Sequence, residues 1–256
     1  MLKAVFLDID GTLVSLNTHR IPESTVRALE LLRQKGVRLF ICSGRPYCAI
    51  DNLDGQQFDG FITVNGGICS YDGKVLYRNP IVREDIAKWK TYLEKSGIDC
   101  FFITENQVYM NRPSETADQF IRLLNFMSPE IRTPDSLAGE PIFQMVGLFE
   151  KDRDADVQMA LPHCRITRWH PTFSDIISKD NDKCVAMKVL LEYMKISPSE
   201  CMAFGDGSND MGMLRYAGLG VAMGGCGDDV RDAADYVTDS ADDDGIWNAL
   251  KHFSVI

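Results

Sequence analysis

Ala4-Val5-Phe6-Leu7-Asp8-Ile9-Asp10-Gly11-Thr12-Leu13 is the stretch whose reading decides the fold. Four apolar residues in a row predict a strand buried on both faces. The Asp-x-Asp-Gly that follows predicts a tight turn at its C-terminal edge. In open α/β sheets that edge is where ligands bind. Two carboxylates two residues apart at such a turn can divide roles, one attacking or holding a metal and the other handling protons. An ordinary polar turn has the same composition, so the decision rests on the other strand ends.

Outward from that strand the chain alternates elements. Pro22–Lys35 predicts a helix with apolar positions Val26, Leu29, Leu31 and Leu32, stopped by Gly36. Val37–Cys42 and Gly60–Val64 predict further buried strands. The rhythm returns late, with a helix at Lys183–Met194, a strand at Cys201–Phe204, a helix at Asp210–Tyr216 and a strand at Leu219–Met223. Buried apolar runs alternating with amphipathic helices predict a doubly wound, mainly parallel α/β sheet. Residues 82–179 break the rhythm. Helices at 83–96 and 114–127 mix there with strand patterns at Cys100–Thr104, Gln107–Met110, Phe143–Phe149 and Cys164–Trp169. The expectation is a split core, 1–81 with 180–256, and an inserted α+β domain with an antiparallel sheet. The acidic run Asp239–Asp244 is expected to cap a final helix starting near Gly245.

At 256 residues the chain can bury one large or two smaller cores. A net charge of −10 argues against a nucleic-acid partner, which needs a basic face for phosphates. No apolar stretch is long enough to span a membrane. The strand pattern at the very N-terminus leaves no room for a signal peptide. Eight cysteines without a Cys-x-x-Cys pair read as reduced thiols, which implies a cytoplasmic protein. Four scattered histidines offer no zinc spacing.

Two more strand ends carry polar turns. Ile41-Cys42 runs into Ser43-Gly44-Arg45, whose hydroxyl and glycine amide suit an anion's oxygens. Cys201–Phe204 runs into Gly205-Asp206-Gly207-Ser208-Asn209-Asp210, bringing two further carboxylates. Carboxylates gathered at adjacent strand ends repel unless they share a cation, and hard oxygen donors suit Mg²⁺. Lys183, opening a helix, is the candidate cation on the substrate side. An EF-hand loop is excluded because Gly11 stands fourth, not sixth, from Asp8. A cysteine phosphatase is excluded because Cys48 stands where its arginine would follow Cys42.

Asp8-Ile9-Asp10-Gly11-Thr12, Ser43, Lys183 and Gly205-Asp206-Gly207-Ser208-Asn209-Asp210 resemble, in order, the four motifs of the haloacid dehalogenase superfamily. The insert between Ser43 and Lys183, together with Asn65-Gly66-Gly67, resembles the Cof-type branch with a C2B cap, largely sugar-phosphate phosphatases. Cys184 departs from the small residue usual after the lysine, which leaves Lys179 as a competitor for that role. The resemblance implies Asp8 as nucleophile and Asp10 as acid/base. It implies Mg²⁺ held by Asp8, the Asp10 backbone carbonyl and Asp206, with Asp210 in support, and Thr12 as a support for Asp10. Ser43, Gly44, Lys183 and Asn209 would contact the phosphate, and Arg45 and Asn65 the leaving group.

Asp10 also discriminates within the family, whose dehalogenases lack this carboxylate and whose ATPases carry Thr there. The implied function is Mg²⁺-dependent hydrolysis of a small phosphorylated metabolite, a hexose or related sugar phosphate, by a chain that works as a monomer. A phosphotransferase or phosphomutase and a silent sugar-phosphate sensor are the alternatives. The cap would close over the sugar and choose it, with Tyr109, Arg112, Arg168 and Trp169 as open candidates for its contacts.

Overall fold

A computed structural model describes residues 1–123, 129–137 and 139–256. In chain order the first part contains β1 (Ala4–Leu7), α1 (Glu23–Gln34), β2 (Arg38–Cys42), β3 (Gly60–Thr63), β4 (Ile68–Tyr71) and β5 (Lys74–Arg78). Next come α2 (Arg83–Ser96), β6 (Asp99–Ile103), β7 (Val108–Met110), α3 (Glu115–Leu123), β8 (Glu130–Ile131), β9 (Gln144–Leu148), α4 (Asp154–Ala160), β10 (Cys164–His170) and β11 (Phe173–Ser178). The last part contains α5 (Lys183–Met194), β12 (Cys201–Gly205), α6 (Met211–Tyr216), β13 (Leu219–Ala222), α7 (Asp228–Arg231), β14 (Tyr236–Val237) and α8 (Gly245–His252). The described chain divides into two compact units. One comprises Met1–Arg45, Ile50–Arg78 and Asp182–Ile256; the other comprises Pro46–Ala49 and Asn79–Asn181.

The first unit is built on a sheet ordered β14-β13-β12-β1-β2-β3-β4-β5. Pairing is parallel from β14 to β3 and antiparallel from β3 through β5. All four residues of β1 are buried, as a strand covered on both faces requires. α1 and α8 cover one face with Ala28, Leu29, Leu32, Ile246, Ala249 and Leu250. α5 and α6 cover the other with Ala186, Met187, Leu190, Met213 and Leu214. Truncating one such leucine to alanine costs about 2–5 kcal/mol through lost contacts and the cavity left behind. The chain runs from β1 to β2 on one side, while β12 lies on the other, so the topological switch point falls at β1, where this fold class places its ligands.

Three expectations change here. The buried stripe of α1 is Thr25, Ala28, Leu29 and Leu32, with Leu31 turned partly outward. The hairpin of β4 and β5 was not expected. Its Asp72-Gly73 turn has φ of 48° and 72°, the positive pair a two-residue hairpin turn needs. The acidic run before α8 does not cap it through a side chain. Asp244 has φ of 63° and its carboxylate takes the Ser24 hydroxyl, while Asp242 takes Asn17 and Asp243 takes Ser240.

The second unit is a sheet ordered β10-β11-β9-β6-β7-β8, antiparallel except for the parallel β7–β8 pair. Its core joins Trp89 of α2 and Val157 of α4 to Cys100, Phe102, Met145 and Ile176 of the sheet. The Trp89 indole N–H donates to Cys100 Sγ at 3.2 Å, which satisfies the ring's one polar atom in the core. Strands β8 and β11 add to those expected. The end of the helix expected over 114–127 lies outside the described residues from 124 on. All eight cysteines of the chain are free thiols.

Candidate active site

Three adjacent strand ends converge in the first unit. Asp8 follows β1, its N–H bonded to Phe204 O at 3.1 Å, and Ser43 follows β2, its N–H bonded to Ile62 O at 2.8 Å. Asp206 follows β12. After Asp8 the chain reverses at once, with Gly11 N donating to Val14 O at 2.9 Å and Leu13 N to Asp8 O at 3.2 Å. Gly11 has φ of +85°, and a Cβ there would stand 2.5 Å from Asp206 Oδ2. Glycine is therefore required both by conformation and by the closeness of the second acidic turn.

Lys183 links the acidic groups. It opens α5 behind the N-cap Asp182, whose carboxylate accepts from Cys184 N at 2.7 Å. Its amine donates to Asp8 Oδ1 and to Asp210 Oδ1, both at 2.6 Å, and the side chain is fully buried. Burial alone would lower its pKa, but Asp210 and Asp8 outweigh that and hold the ammonium charged. Lys179, weighed for the same role, lies in the other unit and its amine contacts Pro162 O.

Asp210 supports the second turn from within. Its Oδ2 accepts from Asp206 N at 3.1 Å and Gly207 N at 2.9 Å, while Oδ1 takes Lys183. Thr12 Oγ1 donates to Asp206 Oδ1 at 3.0 Å, so Thr12 orients a carboxylate of the other motif rather than Asp10. Asp8, Asp206 and Asp210 each bring a carboxylate oxygen within 4.8 Å of the others. Burial pushes the Asp8 carboxyl well up, with Asp210 and Asp206 adding to it against Lys183. Burial and Asp210 push Asp206 up to about 6. Carboxylates held this close and away from water favour a shared cation, and an all-oxygen donor set suits a hard divalent ion. Asp210 has both oxygens committed to N–H donors, which makes it a brace, and Asp8 and Asp206 the better donors to a metal.

Asp10 and Arg45 form a bidentate ion pair that the sequence did not reveal. Arg45 Nε donates to Asp10 Oδ2 at 2.7 Å and Nη2 to Asp10 Oδ1 at 2.8 Å. Ser43 Oγ accepts from Arg45 N at 3.1 Å and retains its own proton to donate. Asn65 is buried beside Gly44, and its Oδ1 accepts from Asn209 Nδ2 at 2.9 Å. Val64 and Asn65 both adopt positive φ, 47° and 55°. For β-branched Val64 that is a strained state, held by its N–H on Arg45 O and by Asn65 N on Ser43 O, both at 3.1 Å. Gly66 then passes so near the start of α5 that a Cβ would stand 2.2 Å from Asp182 O.

Of the candidates in the insert, Tyr109 is buried in that unit's own core and Arg168 pairs with Asp154 at 2.6 Å, so both have structural duties. Arg112 pairs with Asp99 at 2.6 Å. The Trp169 side chain lies outside the described residues.

Such an acidic strand-end site has the chemistry a phosphoryl-transfer hydrolase needs, and the sequence comparison identifies the family. The profile of haloacid dehalogenase-like hydrolases matches residues 5–250, and the chain belongs to that family. It is an HAD-family phosphatase, a hydrolase of phosphoric monoesters. Bacillus subtilis YkrA, provisionally named a phosphatase, is 30% identical over 99% of this chain and 98% of its own. The HAD subclass IIB sugar phosphatase BT4131 is 39% identical with a TM-score of 0.92, over 99% of this chain and 100% of that one. BT1666 of Bacteroides thetaiotaomicron, described as a phosphatase, is 32% identical with a TM-score of 0.92, over 100% and 96%.

Proposed function

We propose that this phosphatase hydrolyses small phosphomonoesters, sugar phosphates foremost, in a Mg²⁺-dependent reaction through an aspartyl-phosphate on Asp8. The observation that carries the reading is the placement of Asp8 against the buried Lys183 with a second carboxylate, Asp10, at the same turn. One group is held for attack and the other is available for protons. The 39% identity to a sugar phosphatase supports the substrate class.

In the first step an Asp8 oxygen bonds phosphorus as the ester P–O bond breaks, and Asp10 gives its proton to the departing oxygen. In the second, water bonds phosphorus, its proton goes to Asp10, and the Asp8–phosphorus linkage breaks to release phosphate. Lys183, the Ser43 hydroxyl, the Gly44 amide and Asn209 hold the phosphoryl oxygens. Asp8, Asp206 and the Asp10 carbonyl, with Asp210 in support, would hold Mg²⁺, which offsets the repulsion between two anions when bound. Asn65 acts by holding Asn209 rather than by meeting the sugar.

The inserted segment 82–179 selects the ester. Among the described residues no helix is long and apolar enough to cross a membrane, and eight free thiols favour a reducing, cytoplasmic setting.

Phosphate release from a panel of phosphorylated metabolites, with Mg²⁺ and then with EDTA, tests the reading. Release abolished by EDTA and best for hexose phosphates is expected. Release unaffected by EDTA contradicts the metal, and release confined to esters that carry no sugar contradicts the substrate class.

A further inference from the structure

The Asp10–Arg45 pair has a geometry that stability does not account for. The two side chains are 39% and 24% exposed, and an ion pair this open adds only about 0–1 kcal/mol to folding. Its effect is geometric. The fork engages both oxygens of Asp10, so it fixes the orientation of that short side chain beside the turn at Gly11. The guanidinium comes from a rigid support, because the Arg45 N–H is bound to Ser43 Oγ and its carbonyl to the strained Val64.

We infer that Arg45 is a positioning residue for the acid/base Asp10, acting on the reaction through that carboxylate and not as a leaving-group contact. This rests on the phosphatase reading above. When Asp10 carries the proton on one oxygen, its carbonyl oxygen still accepts from the fork. The carboxyl is thus anchored at one oxygen while the other faces the ester. The proton passes to the ester oxygen as its bond to phosphorus breaks, and one returns from the water that opens the Asp8 linkage.

Two esters that differ in their need for that proton separate the roles. Glycerol 2-phosphate leaves as a basic alkoxide that must be protonated, whereas p-nitrophenyl phosphate leaves as a stable phenolate. If Arg45 positions Asp10, Arg45→Met lowers kcat on glycerol 2-phosphate by about 10²-fold, the cost of a misplaced catalytic group. The first-turnover burst of p-nitrophenolate keeps its rate within about threefold. Arg45→Lys keeps the charge without the fork and falls between. Adding Arg45→Met to Asp10→Asn costs nothing further on glycerol 2-phosphate, because the group acted upon is already gone.

An equal rise of KM for both esters with kcat intact would assign Arg45 to substrate binding and overturn the inference. So would a loss in the double variant equal to the product of the single losses. Melting curves confirm that each variant is folded, and Arg45→Lys carries the comparison if Arg45→Met is not. A wild-type protein that hydrolyses neither these esters nor any of the phosphorylated metabolites above overturns the phosphatase reading first and the Arg45 assignment with it.

Discussion

Lys183 Nζ lies 2.6 Å from Asp8 Oδ1 with the lysine fully buried, so the proposed nucleophile is charge-paired before any substrate arrives. The same amine reaches Asp210 at 2.6 Å, and one cation thereby ties the turn after β1 to the turn after β12.

Removing that cation should be felt in the fold as well as in turnover. Lys183→Met leaves Asp8 and Asp210 buried without their partner, and breaking a buried pair in this way costs about 3–5 kcal/mol. In a chain of this size that lowers the melting temperature on the order of 10 °C. Thermal melts in EDTA read the loss, and Mg²⁺ is expected to restore part of it. A melting temperature equal to that of the wild type would mean that the two carboxylates do not depend on Lys183.

Thr12 is the outer support of Asp206, through the hydroxyl at 3.0 Å. Thr12→Val keeps the shape and deletes the donor. Losing such a partner typically weakens metal binding by about 10- to 100-fold. A Mg²⁺ titration of activity should shift to higher concentration by that factor with kcat at saturation largely kept. An unshifted titration would separate Thr12 from the metal.

The thiols give a pH test. Burial holds Cys69, Cys100, Cys164 and Cys201 up at about 12, and burial raises Cys42 well above its ordinary value, against Lys183 and with Asp210 and Asp8 adding to it. Below that pH these groups stay protonated, so at pH 8 the thiolate fraction of the first four is roughly 10⁻⁴. Labelling with a disulfide reagent should find at most Cys48, Cys184 and Cys226 reactive in the native protein, and all eight once it is denatured. Rapid native labelling at Cys42 or Cys69 would contradict the buried core around β2 and β4.

What the sequence disclosed followed local chemistry. The all-apolar β1 and its acidic turn, the Ser-Gly after β2 and the Gly-Asp-Gly after β12 each announce a strand end within a few residues. The hairpin of β4 and β5 was legible too, since Asp72-Gly73 carries the turn signal, but its strands mix apolar and polar residues and escape a search for continuous apolar runs. Nothing local pairs Arg45 with Asp10 or Asn65 with Asn209. Those contacts exist because β1, β2, β3 and β12 bring distant turns to one edge. Lysine is ordinarily exposed, so the burial of Lys183 also waits on the fold.

The covalent role of Asp8 is the central claim, and Asp10→Asn treated with p-nitrophenyl phosphate and Mg²⁺ tests it most directly. The nitrophenolate needs no proton, so transfer to Asp8 proceeds, while the water that should cleave the intermediate lacks its base. The expected result is a burst of p-nitrophenolate equal to the enzyme present, with one phosphoryl group found by mass spectrometry on the Asp8 peptide after acid quench. Steady release without a burst, from a protein whose Asp8 peptide stays unmodified, would contradict attack by Asp8.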